Sequence, residues 1–135
     1  MKLLKLTFVL VLSLAISSCT KKSSDTFTDG LTFGTSYNYN DFTLVGAGSS
    51  FSTTPGNVAF RLESSEDFSS NPIKFVIKKD GIAYSTDIYT TNPVPTGHIF
   101  LVPKNYALKG SYSVTAFIQK TAGDKTVASA SFQMN

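Results

Sequence analysis

The sequence predicts an all-β domain, an antiparallel β-sandwich of about seven strands. Three observations point there. Short stretches alternate apolar and polar residues, as where Val58, Phe60 and Leu62 interleave with Ala59, Arg61 and Glu63, the period of a half-buried strand. Clusters of Gly, Pro, Asn, Asp and Ser punctuate these stretches, and no window shows a helical period. The phenylalanines are spread along the chain, as expected when many strands each contribute to one core.

Residues 1–18 stand outside that domain. Lys2 and Lys5 form a positive start, Leu6 to Ile16 is free of charge, and small residues precede the lone Cys19, the layout of a secretory signal. Eleven apolar residues rise about 16 Å as a helix, roughly half of what a membrane span needs. The ending Ile16-Ser17-Ser18-Cys19 resembles the lipobox of bacterial lipoproteins. The resemblance implies acylation of the Cys19 thiol, palmitate among the acyl groups, and cleavage that leaves Cys19 as the first residue. It implies a place in the cell envelope, at the outer membrane and facing the periplasm or the exterior, with the acyl chains as the contact to the bilayer. Each buried methylene contributes about 0.8 kcal/mol, so one chain holds marginally and two or more hold durably.

Losing Lys2 and Lys5 with the signal leaves 10 basic against 9 acidic residues, a net charge of +1. The basic pI is therefore no argument for a nucleic-acid partner, which would want a basic stripe on one face. Cys19 is the only cysteine, so its acylation would leave no thiol for a disulfide or a thiolate metal site. Residues 19–30 begin with a polar run, Thr20-Lys21-Lys22-Ser23-Ser24-Asp25, the composition of a flexible tether. Lys22 and Asp25 are similar to the post-cysteine export signal of surface lipoproteins in the Bacteroidota. The sandwich is expected over residues 31–135, one domain's length.

Taken in order, residues 40–45 are the first strand expected, with Phe42 and Leu44 on one side. A Gly/Ser/Thr-rich loop leads to Thr54-Pro55-Gly56-Asn57 and then to the strand of Val58, Phe60 and Leu62. Ile73, Phe75 and Ile77 alternate with Lys74, Val76 and Lys78, and Asp80-Gly81 supplies a tight hairpin turn into a strand over residues 82–89. Asn92-Pro93-Val94-Pro95 lacks two donors and is expected as a crossing segment. Residues 98–102 form a compact apolar strand that Pro103 should end. Tyr112, Val114, Ala116 and Ile118 share one face of the next strand; Ala128, Ala130, Phe132 and Met134 face inward on the last.

Gly110-Ser111-Tyr112 at the start of the penultimate strand resembles the tyrosine corner of immunoglobulin-like and fibronectin-like sandwiches, where the hydroxyl bonds a nearby backbone group. Val114 stands where antibody domains place a disulfide cysteine, Leu108 stands at a position often Asp, and Trp is absent. An antibody-type domain is thereby excluded. In such a sandwich the third, sixth and seventh main strands share a sheet. Its outer face would carry Lys74, Val76 and Lys78, then Ser113, Thr115 and Phe117, then Val127, Ser129 and Ser131. Val76, Phe117 and Val127 would make a modest apolar spot there, a binding surface or simply the consequence of β-propensity.

No catalytic set can be assembled. His98 is the one histidine, and nothing in the sequence nominates a group to orient its imidazole as a general base. Glu63, Glu66 and Asp67 offer oxygen ligands for calcium, but their spacing matches no calcium loop. Gly46-Ala47-Gly48 lacks the strand-to-helix setting of a phosphate cradle. Neither a metal nor another cofactor is implied. Tyr37-Asn38-Tyr39-Asn40, if extended, sets Tyr37 and Tyr39 on one face about 7 Å apart, a surface for sugar rings or a rim packed on the core edge. The expectation is a non-enzymatic, lipid-anchored envelope module contacting a protein or a glycan through Tyr37, Tyr39 or Phe117. The alternatives are an accessory sugar-binding lipoprotein of an outer-membrane uptake system, or a small inhibitor of a secreted hydrolase acting through residues 92–97.

Overall fold

The computed structural model of the chain describes residues 26–90 and 97–135. Ten strands run through them: β1 (Gly30–Gly34), β2 (Ser36–Asn38), β3 (Thr43–Val45), β4 (Ser50–Phe51), β5 (Asn57–Glu63), β6 (Ile73–Lys79), β7 (Ile82–Tyr89), β8 (Ile99–Asn105), β9 (Gly110–Lys120) and β10 (Gly123–Met134). There is no helix among the described residues. One sheet has the order β1-β5-β8 and the other β4-β10-β9-β6-β7, while β2 and β3 form a separate hairpin. Without the three short strands, seven remain: the first, second and fifth in one sheet, the third, fourth, sixth and seventh in the other. The third, sixth and seventh share a sheet as expected of an immunoglobulin-like or fibronectin-like sandwich, with the fourth beside the third rather than the fifth; the expected all-β sandwich is the observed fold.

The inward phases follow the alternation in the sequence. Val58, Phe60 and Leu62 on β5 face Ile73, Phe75 and Ile77 on β6, with Val114, Ala116 and Ile118 on β9 and Phe132 on β10; all are buried. Aromatic rings bridge the two sheets. Phe60 meets Phe75 edge-on at 5.5 Å and Phe132 at 6.0 Å, and Phe132 stacks on Tyr112 at 5.1 Å. Tyr112 completes the corner its neighbours suggested, its hydroxyl donating to the Leu108 carbonyl at 2.8 Å. Asp80 and Gly81 both take positive φ, 50° and 80°, as a two-residue hairpin turn requires. The Asp80 carboxylate also accepts the Ser111 amide at 2.9 Å, tying that turn to the start of β9.

Five details differ from the alternation pattern. Residues 40–45 are not one strand. Asn38 Oδ1 accepts the Asn40 amide and Asp41 Oδ1 accepts the Thr43 amide, so two side chains mimic backbone turns and the segment doubles back as the β2–β3 hairpin. β1 and β4 are strands the pattern does not predict: β1 runs between two glycines, β4 has two residues, and β4 pairs in parallel with the end of β10. Pro103 does not end β8, because β8 is a sheet edge paired only with β5, where a missing donor is tolerated. Val127 is not on the outer face: the ladder skips it between Thr126 and Ala128, and it packs against the core as the extra residue of a bulge. Finally, the expected tether through residue 30 is fastened to the domain in its last part. Phe27 stacks on His98 at 4.4 Å, the Thr28 amide donates to Glu63 at 3.0 Å, and Asp29 accepts the Ser65 amide at 2.7 Å.

Two buried tyrosines at the core's edge differ in one respect. The Tyr112 hydroxyl has its carbonyl, whereas the Tyr106 hydroxyl is buried without a partner. Removing a made hydrogen bond costs about 1 kcal/mol, and leaving a buried polar group unmatched costs about 1–3 kcal/mol. Tyr112→Phe should therefore lower stability by about 1 kcal/mol and Tyr106→Phe should raise it by a similar amount, opposite shifts of the urea midpoint at unchanged slope.

Candidate functional site

β8 reads Ile99-Phe100-Leu101-Val102, apolar without alternation, and all four residues are buried. Phe100 and Val102 enter the main core, so Ile99 and Leu101 lie on the outer face of the three-stranded sheet. The β2–β3 hairpin covers that face: Tyr37 and Phe42, with Phe27, pack on Ile99 and Leu101. Arg61 fixes the cover. It projects from the same face of β5, its Nε donating to the Phe42 carbonyl at 2.8 Å and its Nη1 to Glu63 at 2.7 Å. Phe42 holds that carbonyl in place with a left-handed backbone, φ 58°. Gly34 passes so close beneath the hairpin that a Cβ would sit 2.6 Å from the Val45 carbonyl, which is why no side chain fits there.

Beside this contact the hairpin and the sheet leave an open cleft of about 410 Å³. Its floor includes Ala59 and Pro103, which pair across β5 and β8, and its sides include Ser36, Tyr37, Tyr39 and Asn57. Tyr37 and Tyr39 do come together, but not side by side. Their rings meet edge to face at 4.7 Å with an 88° interplanar angle, and their hydroxyls share a 2.8 Å hydrogen bond. Tyr37 is the support, half-buried on the outer-face cluster, and Tyr39 is 54% exposed. Burial and the bond to Tyr39 push the Tyr37 hydroxyl up to about 12, so the Tyr37 ring is neutral at physiological pH. Asn57 is steadied by Asn105, whose Nδ2 donates to Asn57 Oδ1 at 3.1 Å.

The other residues singled out by sequence lie elsewhere. Phe117 is half-buried on the outer face of the five-stranded sheet, with Lys74 Nζ 4.8 Å from its ring centroid and that lysine bonded to Asp124. Val127, turned to the core, does not join Val76 and Phe117 on that face. Glu63, Glu66 and Asp67 are not brought together. Glu63 serves Arg61 and Thr28, Glu66 sits between Lys120 and Lys125, and Asp67 caps Ser69. His98 Nδ1 lies 2.9 Å from the Ser64 carbonyl. Gly46 and Gly48 return the chain from the hairpin, the Gly48 amide donating to Phe33. Cys19 and residues 92–96 lie outside the described residues; Gly97, the end of that loop, has φ 69°.

Asn57, Ala59, Pro103 and Arg61 were not singled out in the sequence. The signal that leads to them is the run Ile99 to Val102: a strand apolar on both faces needs a cover on each, and the positions that border such a cover are site candidates.

No family model matches the chain, and no curated protein matches it. Among solved structures the chain is similar to the soluble domain of PmoD from Methylocystis sp. ATCC 49242 (Rockwell), with a TM-score of 0.50 and 16% identity over 82% of this chain and 97% of that one. At that identity the likeness is one of fold.

Because the folded-state pKa of Tyr37 lies above the ordinary tyrosine value of about 10, its contribution to stability is full below pH 10. It is lost as pH rises toward about 12. Wild type should thus lose more stability than Tyr37→Phe across that window in parallel urea titrations; identical pH slopes would contradict the burial of this hydroxyl. Arg61→Ala should free the Phe42 carbonyl and speed amide exchange across β2 and β3 while leaving β5 to β10 protected.

Proposed function

We propose that this protein is a non-enzymatic binding module of the bacterial cell envelope. Acyl chains on Cys19 hold it at the membrane, and it contacts a glycan or a protein through the cleft beneath the β2–β3 hairpin. The observation that carries the binding half is the exposed Tyr39 ring, propped by Tyr37 at the mouth of that cleft. Large aromatic rings held rigid at a surface depression are typical contact groups. The sandwich core does not need this ring: Tyr39 belongs neither to the main core nor to the outer-face cluster. The anchoring half rests on the lipobox, Ile16-Ser17-Ser18-Cys19. Among the described residues no helix is long and apolar enough to cross a membrane.

Two measurements test the halves separately. Mass spectrometry of the protein from native membranes should find an acylated N-terminal Cys19, and Cys19→Ser should move the protein out of the membrane fraction. An unmodified thiol overturns the anchor. A photoreactive residue at position 39 should cross-link an envelope component in intact cells, whereas one at Ser131, exposed on the far sheet, should not. Equal yields from both positions overturn the cleft as the contact surface.

A further inference from the structure

The cleft also restricts what it can hold. This step rests on the cleft being the contact surface and names the class of ligand.

Charge is the first restriction. Among the described residues, the one ionisable group lining the cleft apart from the tyrosines is Lys104. It stands on the inward phase of β8, and its Nζ is bonded across the sandwich to Asp87 on β7 at 2.7 Å. Arg61, on the same outer face as the cleft floor, is committed to Phe42 and Glu63. An anionic or cationic ligand would leave water for this cleft and find no free counter-charge among the described residues, a desolvation cost without return.

Shape is the second. Tyr37 and Tyr39 stand at 88° to each other, so they cannot sandwich a flat aromatic ligand between parallel faces. What they offer is one ring face with its orientation already fixed, by the edge-to-face contact and the 2.8 Å bond between hydroxyls. Little ordering entropy is then lost on binding. The third is polarity. Around that ring lie the Tyr hydroxyls, Ser36 and the Asn57 amide, set over a floor of Ala59 and Pro103. Neutral donors and acceptors around an aromatic face match a molecule whose apolar C–H face is rimmed by hydroxyls. The volume of about 410 Å³ falls in the range of small-molecule sites.

The geometry points to a neutral saccharide as the ligand, one sugar ring lying with its C–H face on Tyr39 and its hydroxyls turned to Asn57 and Ser36. Stacking supplies the affinity and the amide supplies orientation.

The test is isothermal titration and NMR of the full chain in a detergent without a sugar headgroup. The probes are neutral oligosaccharides (glucans, xylan fragments and chitin fragments) with polygalacturonate and heparin fragments as charged counterparts. At least one neutral series should bind and shift the signals of Tyr39 and Asn57, with the charged series inert. Tyr39→Ala should weaken binding about tenfold or more, equivalent to about 1.4 kcal/mol, while Tyr39→Phe retains most of it. Asn57→Ala should weaken it less. Because Tyr39 is exposed, its variants should melt like wild type, so a loss of binding is not a loss of fold. Absence of binding by every neutral series, or binding indifferent to Tyr39→Ala, overturns the inference. If position 39 then still cross-links a protein in cells, the envelope-module reading survives without the sugar; if it cross-links nothing, both fall.

Discussion

One constraint shapes the candidate site: β8 is apolar on both faces. A strand at the edge of a three-stranded sheet would ordinarily show one face to water. Here Ile99 and Leu101 are as buried as Phe100 and Val102, which face the main core. Exposing two such side chains would forfeit about 1.5–3 kcal/mol each, so the chain before β5 is folded over them. Everything distinctive about the site follows. The β2–β3 hairpin lies where it does because Tyr37 and Phe42 seal Ile99 and Leu101. The cleft exists because the seal is smaller than the sheet face it covers. Tyr39 is presented because its neighbour two residues back is pinned.

The sandwich beneath is independent of this arrangement. Its two sheets are locked by rings contributed from both, Phe60 and Phe33 from one, Phe75, Phe132 and Tyr112 from the other. Tyrosine plays three roles in the same molecule. Tyr112 is structural, with its hydroxyl matched to a backbone carbonyl. Tyr106 fills core volume at the expense of an unmatched hydroxyl. Tyr37 and Tyr39 satisfy each other's hydroxyls outside the core. The Lys104–Asp87 pair closes the open side between β7 and β8. Burial works against the lysine charge there, but the Asp87 carboxylate and the Tyr89 hydroxyl together more than offset it and raise its pKa above the usual lysine value.

The long strands were legible because a period of two needs only about five residues to show itself. β5, β6, β7, β9 and the inward phase of β10 were all anticipated, as was the Asp80-Gly81 turn. What escaped were features with no period. β4 has two residues, and the skipped Val127 shifts a face by one position without any change in composition. The hairpin was hidden by Asn38 and Asp41, whose side chains bend a segment that its apolar residues would have kept straight. Tyr37 and Tyr39 were singled out as a pair, yet how they meet depends on the packing of Tyr37 on Ile99 and Leu101, more than sixty residues away from it in sequence. The cleft floor is harder still: Ala59 and Pro103 carry no chemistry, and only the register of β5 against β8 places them side by side.

The register also fixes a direction. Phe27, Thr28 and Asp29 dock at the end of the three-stranded sheet marked by Glu63, Ser64 and His98. Asn57, Ala59 and Pro103, with the cleft above them, lie toward the other end of the same strands. Six residue steps along β5 lead from Glu63 to Asn57, about 20 Å of extended chain. The docked segment and the cleft floor thus lie toward opposite ends of β5, with Ile99 and Leu101, on which Phe27 and Tyr37 both pack, between them. A pull on the chain at residue 26 would therefore bear on Ile99 and Leu101, the same two side chains that support Tyr37.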